Sequence, residues 1–250
     1  GTLEKWNGSA WTAVTAGTTL LSAGEKVQWK GAQDANGTLN AFTVKAYDGA
    51  LASATAVQVT VAVAAVNDAP TLTSISTITG ATEDTFKEIL YSDLAAAGNE
   101  ADVDNDPISF RIEAVSSGTL EKWNGTVWAS VTAGTTLLSS GEKLRWKGAQ
   151  DANGILNAFT VKAFDGVLAS ATPVQVTVNV AAVNDAPTSS NNSATTNEDT
   201  SLILATTDFG TYADVEQTAL ASVKIKTRTG KGVLQYNNSG TWSTVATDQV

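Results

Sequence analysis

The chain contains neither cysteine nor histidine among its 250 residues. Their absence excludes disulfide frames, thiol nucleophiles, imidazole bases and zinc or haem sites of the usual ligand sets. Positive charge is also scarce: 15 lysines and arginines face 25 aspartates and glutamates, a net charge of −10. That balance argues against nucleic acid or an anionic membrane as the main partner and favours cations. There is no stretch of eighteen apolar residues, so no membrane insertion is expected. The opening Gly1-Thr2-Leu3 is neither an initiator methionine nor a signal peptide, and the chain reads as part of something longer. What remains, 42% apolar and 16% charged residues, describes a folded chain with room for one large domain or two ordinary ones.

Internal repetition dominates that chain. Residues 1–70 recur as residues 118–187 at an offset of 117, and 12 of the 70 positions differ. The changes are mild, such as Val27 to Leu144, Tyr47 to Phe164 and Gln28 to Arg145. A more diverged copy follows, in which Asn197-Glu198-Asp199-Thr200 answers Thr82-Glu83-Asp84-Thr85. Gly232-Val233-Leu234 with Trp242 likewise answers Gly118-Thr119-Leu120 with Trp128. Unit boundaries fall at Val66-Asn67-Asp68-Ala69-Pro70 and Val183-Asn184-Asp185-Ala186-Pro187, where a φ-locked proline follows an alternating strand. The expected organisation is therefore one whole repeat over 67–183, the C-terminal part of a repeat over 1–66 and the N-terminal part of another over 184–250.

Within a repeat the apolar period is two. Val57, Val59, Val61 and Val63 alternate with small or polar residues, as do Phe42, Val44 and Ala46, and Ile108, Phe110 and Ile112. Asn7-Gly8, Asn124-Gly125, Asp48-Gly49 and Asp165-Gly166 are tight-turn signals between such strands. Only Tyr91 to Ala97, with Ser92 or Asp93 as N-cap, reads as helical. The fold class predicted is all-β: tandem Greek-key β-sandwich repeats of about 117 residues.

Chemistry is concentrated in acidic loops. In an extended segment Asp102, Asp104 and Asp106 would point the same way, roughly 7 Å apart at successive steps. Carboxylates so placed repel unless a cation lies among them. Calcium is the expected ion, since it takes six to eight oxygens from flexible carboxylates, amides and backbone. Glu83-Asp84 and Asn67-Asp68 are the other acid-amide groups near the start of the same repeat, and a sandwich gathers loops at one end. An EF-hand is excluded: Pro107 stands where that loop needs glycine, and Ile108 to Ile112 alternates as a strand. Asp34 with Asn36, and Asp151 with Asn153, lie in Gln-Asp-Ala-Asn-Gly loops that either complete a junction or serve as turns.

The succession Val-Asn-Asp-Ala-Pro-Thr, Glu-Asp-Thr, Asp-Val-Asp-Asn-Asp-Pro, Asp-Gly and a Val-x-Val-x-Val strand resembles the cadherin-like or Ig-like tandem repeats of giant secreted bacterial adhesins of the RTX type. The resemblance covers essentially the whole chain. It implies extracellular β-sandwiches at the bacterial cell surface with calcium at the junctions, and implicates Asn67, Asp68, Glu83, Asp84, Asp102, Asp104 and Asp106 as ligands. At the following junction it implicates Asn184, Asp185, Glu198, Asp199, Asp214 and Glu216. There Thr218 stands in the place of Asp106, so that site is expected to be weaker or differently filled.

Three functions are compatible with these features. The first is a non-enzymatic, calcium-stiffened extender of a surface adhesin, with neighbouring repeats of the same or identical chains as partners. The second is a self-assembling subunit of an extracellular filament, sheath or surface layer. The third is a carbohydrate-binding module contacting a cell-surface glycan through Trp6 and Trp123; Trp11 and Trp29 are expected in the core.

Overall fold

The computed structural model describes residues 1–227 and 232–245. The protein is all-β. Its first five strands are β1 (Thr2–Trp6), β2 (Trp11–Ala13), β3 (Val27–Lys30), β4 (Gly37–Val44) and β5 (Val57–Val63). Next come β6 (Ile78–Thr82), β7 (Lys87–Leu90), α1 (Tyr91–Ala97), β8 (Ser109–Val115), β9 (Thr119–Trp123) and β10 (Trp128–Ser130). They are followed by β11 (Leu137–Leu138), β12 (Lys143–Lys147), β13 (Gly154–Phe164) and β14 (Val174–Ala181). The last are β15 (Thr188–Ser189), a 3₁₀ turn at Thr206–Asp208, β16 (Tyr212–Ala213), β17 (Gln235–Asn238) and β18 (Thr241–Thr244). The alternating segments at 42–46, 57–63 and 108–112 thus lie in or overlap β4, β5 and β8, as period-two patterning requires.

Two compact units divide the chain. One comprises Gly1–Ile78, Glu88–Trp146 and Asn157–Thr177; the other comprises Thr79–Lys87, Lys147–Leu156 and Val178–Val250.

The best-buried sheets are a four-stranded one, in the order β10-β9-β12-β7, and a five-stranded one, β11-β8-β13-β14-β6. Alternate residues of each are sequestered from water: Ile89, Leu144 and Trp146 in the first; Phe110, Ile112, Phe159, Val161, Val176 and Val178 in the second. Trp146 is 1% exposed, and its indole N–H donates to the carbonyl of Ser117 at 2.8 Å, so the core carries no unpaired polar group there. The helix is α1, as predicted, but its cap is Leu90, whose N–H donates to the Asp93 carboxylate at 2.9 Å. Asp93 therefore acts from the first turn, where a negative charge meets the helix dipole favourably.

The near-identical N-terminal copy forms smaller sheets. β2-β1-β3 and β4-β5 pair antiparallel with registers such as Leu3↔Trp29 and Leu39↔Val61. Each hairpin is closed the same way in both copies. Asn7 Oδ1 accepts from the N–H groups of Ser9 and Ala10 at 3.0 and 2.9 Å, and Asn124 Oδ1 from those of Thr126 and Val127 at 3.0 and 2.9 Å.

That closure sets the register Trp6↔Trp11 and Trp123↔Trp128. Directly opposed residues share one face of a sheet, so both tryptophans of each pair point the same way. Trp6 and Trp11 are each 37% exposed, and the expected core position of Trp11 is corrected by this register.

Candidate metal centre and aromatic face

Strand ends position the acids. Glu83 follows β6, Asp151 precedes β13, Asp185 follows β14 and Glu216 follows β16. Two sets of carboxylates, Glu83 with Asp185 and Glu216, and Asp84 with Asp151 and Asp185, each bring three oxygens within 4.8 Å of one another. Asp185 belongs to both.

Glu83 is the most buried acid, 4% exposed. One of its oxygens accepts from the Val183 N–H and the other from the Asn153 amide at 3.1 Å. Asp84 accepts from the N–H of Asp151 at 3.3 Å, and Glu216 from that of Asp185 at 3.3 Å. Asp185 Oδ2 and Glu216 Oε1 are buried atoms without a hydrogen-bond partner among the described residues.

Desolvation pushes the Asp185 carboxyl above its ordinary range, and the charges of Asp151, Glu216, Glu83 and Asp84 push the same way. Orphaned oxygens amid mutually repelling carboxylates fit a hard cation, which would satisfy the lone pairs and cancel the repulsion. These residues could hold a metal ion.

A related arrangement occurs in the other unit. Asp104 accepts from the Asp68 N–H at 2.8 Å, and Asp102 Oδ1 from the N–H groups of Asp104 and Asp106 at 2.8 and 3.3 Å. The segment is therefore a turn, with Asn105 at φ 64°, and not the extended run in which three aspartates point one way. The carboxylate of Asp102 competes for backbone donors that a strand would send elsewhere.

Asp102 Oδ2 and Glu100 Oε2 are buried and have no hydrogen-bond partner among the described residues. Burial raises the Glu100 carboxyl, and desolvation followed by the charges of Asp34, Asp104 and Asp102 raises that of Asp68. The Asn67 amide donates to Asp165 at 2.8 Å.

Of the residues singled out from sequence, Asp68, Asp102 and Asp104 come together with Asp34, and Asn67 meets Asp165. Asp106 joins through its backbone. Glu83 and Asp84 instead group with Asp151, Asp185 and Glu216. Asn184 donates to its neighbour's carbonyl, Asp185 O, at 3.1 Å. Asp214 is engaged by the Thr218 N–H at 3.0 Å and the Tyr212 hydroxyl at 3.2 Å, contacts that hold its carboxyl low. Glu198 and Asp199 are exposed and belong to neither set.

Glu100 and Asp165 are not among the ligands expected from sequence. Glu100 opens the same acidic string, while Asp165 was accounted for by its turn. The Gln-Asp-Ala-Asn-Gly loop was the usable signal for Asp151: it and Asp34 are paired copies, both at positive φ, 58° and 57°.

The aromatic face is the second candidate. The ring centroids of Trp6 and Trp11 are 5.4 Å apart at 59°, and those of Trp123 and Trp128 are 5.3 Å apart at 57°. Beside the latter, a hollow of about 550 Å³ is lined by Lys122, Trp123, Asn124 and Gly125 from one hairpin and by Gly141, Glu142 and Lys143. Lys143 lies 5.2 Å from the Trp128 centroid and pairs with Glu88 at 3.0 Å. Lys122 pairs with Glu142 at 2.7 Å.

No family model matches the chain, and no curated protein matches it. Among solved structures it is similar to an endo-fucoidan hydrolase from glycoside hydrolase family 107, at 16% identity over 86% of this chain and with a TM-score of 0.32. The chain spans 30% of that protein. At that score the likeness transfers no residue and no reaction.

What it overturns is the reading of the chain as a non-enzymatic, calcium-stiffened adhesin extender, together with the exclusion of catalysis. The structure found is a carbohydrate-active enzyme and not an adhesive array. Repetition and acidic loops describe how strands are joined and do not specify the chemistry the protein supports.

Proposed function

We propose that the chain is a carbohydrate-binding module acting outside the cell. It would be built on Greek-key β-sandwich repeats of about 117 residues of the cadherin-like kind, with calcium organising the loops of Glu83, Asp84, Asp151, Asp185 and Glu216. The observation that carries the reading is the cross-strand tryptophan pair, exposed in the first copy and half-buried in the second, with nearly the same separation and tilt in both. Indole faces stack on the C–H faces of sugar rings, while a few polar groups nearby fix orientation through hydroxyls. Asn124, Glu142 and Lys143 supply those groups around one pair.

In the other copy Gln28 replaces Arg145, a residue whose guanidinium lies 4.7 Å from the Trp128 centroid. The first pair therefore offers the less covered rings.

Calcium is the ion preferred for this donor set, since the carboxylate oxygens come from four separate loops, a flexible arrangement that suits a large cation better than magnesium.

A panel of neutral and anionic polysaccharides, tested by affinity electrophoresis and calorimetry, decides the matter. Binding should be lost in the quadruple variant with Trp6, Trp11, Trp123 and Trp128 changed to alanine, and retained by each pair alone at reduced avidity. Absence of binding across the panel, or binding untouched in the quadruple variant, would sink the reading. Reducing-end release on the same panel tests for hydrolysis.

A further inference from the structure

The two tryptophan faces differ by one charge. Among the 12 differences between residues 1–70 and 118–187, Gln28 against Arg145 is the one that changes charge. The change falls on the face that bears the rings. Glu4 and Trp6 stand two residues apart on β1 and so project from the same side, and Gln28 lies directly opposite Glu4 in the register of β1 and β3. Glu121 and Trp123 repeat that spacing on β9, and Arg145 reaches Glu121 from β12.

Both acids are engaged, with different electrostatic results. The Gln28 amide donates to the Glu4 carboxylate at 2.6 Å and brings no charge. The Arg145 Nε donates to the Glu121 carboxylate at 2.6 Å, and the guanidinium offsets the acid's charge as well as satisfying it. The same guanidinium lies 4.7 Å from the Trp128 centroid. Lys143 Nζ lies 5.2 Å from that centroid and 5.7 Å from the centroid of Trp123. Two cations therefore flank one indole in the second copy. Water reaches them, since the Arg145 side chain is 27% exposed.

We infer that the position shared by Gln28 and Arg145 sorts glycans by charge: the second face takes an anionic glycan, bearing carboxylate or sulfate groups, and the first a neutral one. The inference rests on the carbohydrate-binding reading and adds the class of sugar to it. Stacking on the indoles does not depend on the charge of a sugar's substituents, so discrimination falls to the groups beside the rings. On the first face the Glu4 carboxylate repels an anionic substituent. On the second that repulsion is offset, and a stacked, always-charged guanidinium is held beside the ligand. The net charge of −10 does not reverse this, because salt confines the effect to charges within about 8–10 Å of the bound sugar.

Each face can be isolated by removing the other pair. Trp6→Ala with Trp11→Ala leaves the second face, and Trp123→Ala with Trp128→Ala leaves the first. Dextran and dextran sulfate share a backbone and differ in charge, while polygalacturonate carries carboxylates in place of sulfates. One unit charge about 7 Å away in water changes affinity about threefold. Calorimetry at low salt should therefore show the second face preferring dextran sulfate to dextran, or polygalacturonate to dextran, by at least about threefold more than the first face does. Gln28→Arg in the protein that keeps the first face should raise its preference to the level of the second, and Arg145→Gln in the other should lower it to that of the first. Added salt should shrink the difference. Each exchange installs the side chain that the other copy tolerates in the same setting, and circular dichroism checks that the fold is kept. A response to one anionic polymer and not the other upholds the inference and identifies the group recognised. Equal preferences on the two faces, or preferences unmoved by the exchange, would overturn the charge assignment and leave carbohydrate binding standing. Anionic polymers held as tightly by the quadruple tryptophan variant would also overturn it, as attraction that needs no aromatic face. Failure of every polysaccharide to bind either face would remove both readings together.

Discussion

Leu21 and Leu138 are the same residue of the same repeat, yet Leu21 is 55% exposed and Leu138 has no exposed surface. The difference lies in what covers them. Leu138 pairs with Phe110 of β8, whereas among the described residues no strand pairs with the segment around Leu21. Truncating a buried leucine removes its transfer energy and leaves a cavity, about 2–5 kcal/mol, while a surface truncation costs under about 0.5 kcal/mol. Leu138→Ala should thus lower the denaturant midpoint markedly and Leu21→Ala hardly at all. Equal losses would mean that the two copies are equally packed.

Much of this was legible from residue order alone. Val57 to Val63 announces β5 by strict alternation, Asn124-Gly125 announces its hairpin, and Tyr91 to Ala97 announces the helix. The place of Trp11 follows from its partner and not from Trp11 alone. Trp6 and Trp11 directly flank the four-residue turn 7–10, closed by the Asn7 N–H donating to Ala10 O at 3.0 Å, so they are cross-strand partners and must share a face. The company kept by Glu83 was not legible. It depends on β6 and β14 ending side by side, marked by the Glu83 N–H donating to Ala181 O at 3.1 Å, and strand order is a long-range property. Asp102 departs from the extended run expected of it because its own carboxylate, by capturing two backbone N–H groups, makes the turn.

Asp185 belongs to both carboxylate sets, and Glu198 to neither. Calcium titration by calorimetry should therefore show Asp185→Asn weakening binding at least tenfold and Glu198→Gln leaving it near wild type. An ion bound only by the folded form adds about 2.7 kcal/mol at a hundredfold excess over its dissociation constant. The calcium-dependent rise in melting temperature should shrink in Asp185→Asn accordingly. If both variants bind as the wild type does, the ion sits elsewhere.

The acid pairs also set a pH dependence whose sign can be worked out. Asp185, Asp68 and Glu100 are raised in the folded protein, chiefly by desolvation, so the folded state holds protons that the unfolded state has released. Where that is so, stability falls with rising pH, beginning at the ordinary carboxylate value of about 4 and levelling off above the folded values. Asp214 works oppositely: the Thr218 N–H, its largest influence, holds it low, so its contribution is present above the ordinary value and disappears as pH falls through the folded one. In chelator, the wild-type melting temperature should fall more, or rise less, between about pH 4 and neutrality than that of Asp185→Asn, a difference isolated from the lowered carboxyls Asp214, Asp165, Glu142, Asp48 and Glu25 that both proteins share. Saturating calcium should remove most of it, because the cation favours the ionised carboxylates that repulsion disfavours. A chelated slope unchanged by Asp185→Asn, or untouched by calcium, would show that these carboxyls do not face one another as the structure places them.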